Sequence, residues 1–270
     1  MSEIYWIASD GLILVAETFG EGQPLVFSHG LTNNRQQGCR QMAPLVGRCR
    51  LVTFDQRGHG GSTPVADPAL YNAGRMAGDI AAVMDALGIR RALLVGESMG
   101  AATALLFALR WQERVEKLML LAPAFGDTPN PTQARMRLLG RRLATSQGVE
   151  DYIAEARAND WRAAGFSATT MGYMAGYLRS HDPASIGLAC ETLADWILFR
   201  DLSVLATLSC PVQIVAWEGD PVHPVELAVR MAAAIPAASL VKAPSMATIF
   251  NDMPSVGRLF AEFLALNAAS

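Results

Sequence analysis

The residue whose type and surroundings most clearly indicate chemistry is a serine bracketed by glycines. Gly96-x-Ser98-x-Gly100 is the pattern of a nucleophile elbow, in which a sharp strand-to-helix turn exposes the serine hydroxyl at the end of a sheet. Glycines are needed on both sides because a side chain there would collide with neighbouring backbone. Residues 91–95 are predicted as a buried strand and residues 101–110 as a helix. This context favours a catalytic serine over a structural one.

Strands and helices alternate along most of the chain, as positioning such a turn requires. The predicted strands are 4–8 and 12–18, joined as a hairpin at Asp10-Gly11, then 25–28, 49–54, 91–95, 115–121, 212–217 and 239–242. The predicted helices are 73–87, 98–111, 225–234 and 255–266, with an amphipathic stretch at 37–46. This alternation implies a mostly parallel sheet that helices cover on both faces.

The alternation stops at a breaker-rich stretch, residues 127–131, and the chain is then predicted to be helical to about residue 200. We therefore predict one α/β core formed by residues 1–126 and 201–270, with a helical lid inserted at 127–200. The lid contains Trp161, Met174 and Trp196, which could line an apolar pocket. Side chains at helical spacing more often form ordinary core.

Composition indicates a globular protein, because 51% of the 270 residues are apolar and 17% are charged. A net charge of -3 without a basic cluster predicts neither a nucleic-acid nor a membrane partner. No apolar run approaches the roughly 20 residues that span a bilayer, and residues 1–10 lack the pattern of a secretory signal. The scattered cysteines lack metal-ligand spacing and predict buried thiols; they are Cys39, Cys49, Cys190 and Cys210. We expect a cytoplasmic protein. The sequence does not distinguish a homodimer from a monomer.

Four motifs in order resemble those of the α/β-hydrolase superfamily, in particular small lidded esterases, enol-lactonases and cofactorless haloperoxidases. They are Ser28-His29-Gly30, the Asp-Gln-Arg-Gly-His-Gly-Gly-Ser segment at 55–62, the elbow, and the turn at Asp220. The resemblance covers nearly the whole chain outside 127–200. It implies an eight-stranded, mostly parallel sheet flanked by helices. It also implies a serine hydrolase for a small carboxylic ester or lactone, without a metal or organic cofactor.

The resemblance also implies roles for single residues. The backbone N–H groups of Leu31 and Met99 would form the oxyanion hole. Asp220 falls where the family has its acid, just beyond the seventh strand; a helix-capping aspartate is the alternative. His59 belongs to an Arg-Gly-His-Gly turn that is similar to a structural signature of the family, and we interpret it as architectural. The pocket residues would be His29, Trp161, Met174, Trp196, Val222 and Met246.

The sequence departs from the family at the base, which is usually a histidine because its pKa is near neutrality. Ala247, seven residues before Pro254, stands where the resemblance places that histidine, and Met246 precedes it where a glycine is typical. Three explanations are open. Position 247 could be an engineered replacement, the base could have moved to His223, or the protein could be non-catalytic and bind a small apolar ligand.

A relocated base is plausible because His223 lies three residues after Asp220 on the same turn, a spacing that allows a hydrogen bond. Asp127, placed at the end of the sixth strand, is the alternative partner for His223, with Asp220 then capping the helix. A solvated loop histidine is the ordinary interpretation of His223, and His181 is interpreted as a helix-flanking lid residue. Cofactorless oxygenase or perhydrolase chemistry is a further alternative, because a fold does not fix its reaction.

Overall fold

The computed structural model describes residues 2–266, so Met1 and residues 267–270 of the predicted core lie outside the described part. One sheet contains eight strands in the order β1-β2-β4-β3-β5-β6-β7-β8. The strands are β1 (Glu3–Ser9), β2 (Leu12–Phe19), β3 (Gln23–Ser28), β4 (Cys49–Phe54), β5 (Ala92–Glu97), β6 (Val115–Leu121), β7 (Val212–Ala216) and β8 (Ala238–Lys242).

The sheet is antiparallel only at one edge. β1 pairs with β2, and β2 with β4, in the antiparallel sense, whereas every pair from β4 to β8 is parallel. Asp10 and Gly11 make the hairpin turn with φ of 51° and 80°, the left-handed region that Asp-Gly turns adopt. The predicted mostly parallel, eight-stranded α/β fold is confirmed.

Helices cover both faces of the sheet, because alternate strand residues point to opposite sides. Leu94 packs in a cluster with Ile80 and Met231, whereas its neighbour Leu93 packs in another with Phe260. The helices outside the β6–β7 connection are α1 (Arg35–Gln41), α2 (Ala73–Ala86), α3 (Met99–Arg110), α9 (Val225–Ala234), α10 (Met246–Asn251) and α11 (Pro254–Leu266).

The connection from β6 to β7 holds five helices, all within the predicted insertion. They are α4 (Gln133–Leu143), α5 (Ser146–Ala158), α6 (Asp160–Ala163), α7 (Ala168–Arg179) and α8 (Pro183–Leu193). We call residues 127–200 the helical insert. Helices α4 and α8 cross closely, since a Cβ on Gly140 would lie 2.5 Å from the Gly187 carbonyl oxygen. The apolar cluster of the insert is continuous with buried core residues, including Met99, and the half-buried Leu31 packs against it.

Helix α10, directly after β8, was not predicted from the sequence. Its six residues are too few to show a helical period, but Ser245 caps it by accepting a hydrogen bond from Thr248 N–H at 3.2 Å. Residues 2–266 contain no helix long and apolar enough to cross a bilayer. All four cysteines are free, and Cys39 alone is half-buried while the others are buried.

Candidate active site

The elbow after β5 holds Ser98 in a strained conformation, with φ 53° and ψ −109°. The Ser98 N–H donates to Leu121 O at 2.9 Å, which ties the turn to β6. A Cβ on Gly96 would lie 2.2 Å from the Gly100 carbonyl oxygen, and one on Gly100 would lie 1.9 Å from Ser28 O. Both glycines are therefore required by close backbone contact, and the serine side chain remains partly exposed.

His223 joins the serine to an aspartate. Its Nε2 lies 2.8 Å from Ser98 Oγ, and its Nδ1 lies 2.7 Å from Asp220 Oδ2. Because an ionised carboxylate only accepts hydrogen bonds, the Nδ1 proton must point to Asp220, which leaves Nε2 free to accept the serine proton. The structure thus brings together the three side chains that the sequence analysis selected.

Asp220 is held by four donors from its own turn. Its Oδ2 accepts from the Trp217 indole N–H at 2.9 Å as well as from His223, and its Oδ1 accepts from the backbone N–H groups of Val222 (2.9 Å) and His223 (3.3 Å). Burial works to raise the pKa of Asp220, but the hydrogen bond and charge of His223, with the other donors, outweigh it and lower the pKa to about 2. Asp220 is thus a poor match for the helix-cap alternative, since α9 follows Pro224.

Asp127 does not take part in this arrangement. It lies six residues beyond the end of β6, and its Oδ2 accepts a hydrogen bond from the Arg230 guanidinium. The alternative in which Asp127 orients His223 is therefore wrong. Asp127 instead forms an ion pair with Arg230 of α9.

The segment after β8 carries no base. Ala247 is the second residue of α10, and it faces Gly165 of the helical insert. Phe250 on the same helix packs its ring 6.4 Å from the Trp217 ring, whose other neighbour is the His223 ring at 6.2 Å. Helix α10 therefore supports the Asp220 turn from behind, through the buried Trp217 side chain. The contact of Trp217 with Asp220 was not predicted, because no local motif signals it.

The turn that follows β3 lies beside the elbow, because Ser28 pairs with Gly96 across neighbouring parallel strands. The Asn33 N–H closes this turn by donating to Gly30 O at 3.1 Å. Within residues 2–266, the N–H groups of Leu31 and Met99 donate to no backbone carbonyl. Both remain available to a ligand atom near Ser98, as the resemblance implies.

A buried carboxylate lies directly behind the elbow. Glu97 accepts from Gln37 Nε2 and Gln41 Nε2, each at 2.7 Å, and from Asn33 Nδ2 at 3.4 Å. Burial raises the pKa of Glu97, whereas the two glutamine hydrogen bonds act in the opposite direction. The same Gln37 accepts from Gly30 N–H at 3.3 Å, so this network links the elbow to the β3 turn. This network was not predicted, since its members are scattered along the chain.

The predicted pocket residues differ in their exposure. His29 has no exposed surface, so its side chain cannot line a pocket open to substrate. Trp161 and Trp196 are buried, and the Trp196 indole N–H donates to Tyr71 O at 3.0 Å. The remaining three residues, Met174, Val222 and Met246, are half-buried. Met174 and Met246 pack against the apolar cluster of the insert.

His59 and His181 form a buried histidine cluster with His29. The His59 ring centroid lies 5.2 Å from each of the other two. His59 points its ring nitrogens at Arg57 O and Leu31 O, a structural position. His181 flanks two helices of the insert, as predicted, since it lies between α7 and α8, and its side chain is in addition buried against the core.

Two other features bear on ligands. A surface groove of about 900 Å³ runs along the outer side of the Asp220 turn, but its lining includes neither Ser98 nor His223. In the described part of the chain, no group of three or more His, Cys, Asp or Glu side chains is arranged to hold a metal ion.

Comparison with known proteins places this arrangement in a family. A family model for the alpha/beta hydrolase fold matches residues 23–247. A putative carbamate hydrolase RutD of Caulobacter sp. (strain K31) is 28% identical over 230 residues, covering 82% of each chain. The 3-oxoadipate enol-lactonase 2 of Acinetobacter baylyi is 28% identical over 212 residues, covering 76% of this chain and 75% of the relative.

Among solved structures, the enol-lactonase from Burkholderia xenovorans LB400 is similar over 97% of this chain and all of its own, with a TM-score of 0.81 and 21% identity. At that identity the likeness concerns the fold. The family model, in contrast, covers more than half of the chain and includes the elbow and the Asp220 turn. This chain belongs to the alpha/beta hydrolase fold family.

Proposed function

We propose that this protein is a serine hydrolase that cleaves a small carboxylic ester or lactone through an acyl-enzyme on Ser98. The observation that carries the proposal is the 2.8 Å contact between His223 Nε2 and Ser98 Oγ. This distance is within the range of about 2.6–3.2 Å that a general base needs. Family membership and relatives named as hydrolases and a lactonase support the same reaction class.

Acylation follows from the orientation of the imidazole. Ser98 Oγ attacks the acyl carbon while its proton passes to His223 Nε2, and the carbonyl oxygen becomes an oxyanion. The N–H groups of Leu31 and Met99 stabilise that charge, with Met99 at the N-terminus of α3. The intermediate then collapses, and the leaving alkoxide takes the proton from Nε2. In a lactone, that alkoxide remains attached to the acyl group.

Deacylation repeats the same steps with water as the nucleophile. His223 Nε2 accepts a proton from the water, whose oxygen attacks the acyl carbon, and then returns a proton to Ser98 Oγ as the acid leaves. Asp220 stays ionised throughout, because its pKa is lowered to about 2. Its charge stabilises the imidazolium in both half-reactions, and its hydrogen bond holds the ring in the tautomer that each step requires.

This assignment accounts for the missing late histidine. With acid and base supplied by the turn after β7, position 247 has no catalytic task, and an alanine on α10 is compatible with full activity. We also propose residues 127–200 as the lid that covers the acyl site. Its apolar cluster includes Met99, and Leu31 packs against it, so it favours an uncharged acyl group next to the elbow.

The test is acylation of Ser98. A fluorophosphonate probe, with peptide mapping by mass spectrometry, reports the labelled residue, and a nitrophenyl acetate burst reports acyl-enzyme formation. We expect both signals in the wild type and in Asp127→Asn, which removes a nearby carboxylate that does not contact His223. Ser98→Ala and His223→Ala are expected to lose the burst.

The outcomes separate the alternatives. An unlabelled Ser98 in folded wild-type protein would favour a protein that only binds its ligand. A full burst in His223→Ala would show that the base is another group. Initial rates on matched acetyl esters, five- and six-membered lactones and a carbamate then rank the substrate class.

A further inference from the structure

The histidine cluster holds three successive carbonyls of the turn that follows β3. The contacts are His29 Nδ1 to Gly30 O (2.8 Å), His59 Nε2 to Leu31 O (2.6 Å) and His181 Nε2 to Thr32 O (3.3 Å). His29 and His59 belong to core loops, whereas His181 lies between α7 and α8 of the helical insert. The insert thus contributes one of the three anchors of this turn.

The tautomer of His181 is set by a second contact. Its Nδ1 accepts a hydrogen bond from Gly60 N–H at 3.0 Å, so the ring proton is on Nε2 and is donated to Thr32 O. His29 is fixed in the opposite sense, since its Nε2 accepts from Gln56 N–H at 3.0 Å and its Nδ1 proton is donated to Gly30 O. The rings of His29 and His181 therefore each join the turn to a second backbone segment.

Two peptide planes connect the His181 contact to the acyl site. In a planar trans peptide, the C=O of one residue and the N–H of the next point in opposite directions. Anchoring Thr32 O therefore directs the Asn33 N–H, which donates to Gly30 O at 3.1 Å. Anchoring Gly30 O in turn directs the N–H of Leu31, which is one of the two proposed oxyanion donors.

We infer that His181 is a positioning residue, which couples the helical insert to the oxyanion hole through the Thr32–Asn33 and Gly30–Leu31 peptides. The inference rests on the proposed function, because Leu31 N–H matters only if an oxyanion forms beside it. His181 itself touches neither Ser98 nor the reacting atoms. The insert thereby helps to assemble the site as well as cover it.

Burial and a second contact support this role. His181 is 6% exposed, and burial, followed by the His59 ring, lowers its pKa to about 3. The ring is therefore neutral at ordinary pH and keeps one donor and one acceptor. The neighbouring Ser180 Oγ also accepts from Asn34 Nδ2 at 2.9 Å, just after the turn. Two adjacent residues of the insert thus bind the segment 32–34.

A pair of substitutions separates the two hydrogen bonds of His181. In His181→Asn, the side-chain oxygen overlays Nδ1 and keeps the bond from Gly60 N–H, but nothing reaches Thr32 O. In His181→Gln, the amide nitrogen reaches the position of Nε2 and keeps the donation to Thr32 O. Both variants replace the ring by a neutral amide, so a loss of packing affects them alike and is measured by their melting temperatures.

Two readouts test the inference. We expect His181→Asn to lower kcat for an ester by about tenfold with little change in KM, because a misdirected oxyanion donor weakens the transition state more than the ground state. His181→Gln should stay within about threefold of the wild type. Amide hydrogen exchange of the peptide spanning 29–34 should be faster in His181→Asn than in His181→Gln.

The exchange readout does not depend on activity. Equal exchange at 29–34 in the two variants, or equal kcat values, would overturn the inference. If wild-type Ser98 is never acylated, the proposed function fails by itself, and the role in the oxyanion hole fails with it. The exchange difference then still shows whether His181 anchors the turn, so the two failures are distinguishable.

Discussion

Two neighbouring strand ends at the carboxyl edge of the sheet differ in what they supply. The turn after β7 carries Asp220 and His223 within four residues, and its imidazole reaches Ser98. The segment after β8 carries α10, which contributes Met246 and Phe250 as packing residues and no titratable side chain to the elbow. The helix that carries Ala247, where the resemblance places the base, thus packs through Phe250 against the strand end that holds the proposed dyad. In this chain an imidazole reaches the serine from the end of β7 and none does so from the segment after β8.

The strongest test of this comparison is one substitution at each of the two strand ends. His223→Ala should lower kcat for a nitrophenyl ester by about 10⁵-fold, because the serine loses the group that accepts its proton. Ala247→Ser, the matched change at the other end, should stay within about twofold. Steady-state kinetics on both, with thermal melts as the folding control, provide the measurement. Similar losses at the two positions would contradict the assignment.

The next effect concerns the acid. Asp220→Asn should lower kcat by about 10⁴-fold, because an amide can donate to Nδ1 and so favours the wrong imidazole tautomer. Asp127→Asn, at the carboxylate paired with Arg230, serves as the control and should retain wild-type kcat. Rates at saturating ester distinguish the two variants. An active Asp220→Asn would indicate that His223 needs no acid partner.

The dependence of the unfolding free energy on pH between 5 and 2 provides a further test of the comparison. A folded-state pKa of about 2 for Asp220 means that its stabilisation is complete above the unfolded pKa of about 3.9 and is lost as pH falls toward 2. The gap in unfolding free energy between wild type and Asp220→Asn should therefore shrink by about 2 kcal/mol from pH 5 to pH 2.

The control for that titration is at the other strand end. Ser245→Ala removes the cap of α10 and should cost about 1 kcal/mol at every pH, because no charge is involved. Urea unfolding followed by circular dichroism between pH 2 and 5 gives both curves. A constant gap for Asp220→Asn would mean that the carboxylate is not selectively stabilised in the folded state.

The smallest effect tests the support between the two ends. Trp217→Phe removes the indole hydrogen bond to Asp220 Oδ2 and should lower kcat about tenfold, with KM nearly unchanged. Phe250→Leu keeps that bond and loses only the ring contact, so it should lower kcat by about threefold at most. If Phe250→Leu had the larger effect, packing by α10 would outweigh the hydrogen bond.

Local chemistry explains which parts were predictable. The elbow was predictable because backbone contacts under 3 Å exclude a side chain at Gly96 and at Gly100, and both glycines lie within two residues of Ser98. Asp220 and His223 were likewise linked by spacing within one turn. The strands were predictable because short apolar runs alternate with helical segments along the chain. The predicted strand ends were correct to within about two residues.

The remaining features depend on contacts between distant segments. Trp217 is close to Asp220 in the sequence and donates a hydrogen bond to it. The Trp217 ring also packs against Phe250 of α10, a residue that is distant in the sequence. His181 reaches Thr32 across 149 positions of sequence, and no periodicity or motif encodes such a contact. In the sequence, Glu97 is only a variable residue of the elbow motif. Its hydrogen bonds could not be predicted, because the side-chain amides that donate to it come from α1 and from the turn after β3.

The single turn that contains Asp220 and His223 makes the proposed site sensitive to loosening of the whole molecule. Local torsions fix the carboxylate against the imidazole, whereas the gap to the serine hydroxyl depends on how β7 sits beside β6 and β5. Slight loosening of the sheet would leave the acid and base paired yet out of reach of the nucleophile. Enzymatic turnover should therefore disappear before the spectroscopic signals of folded structure do, which makes catalytic competence an early indicator of damage to this protein.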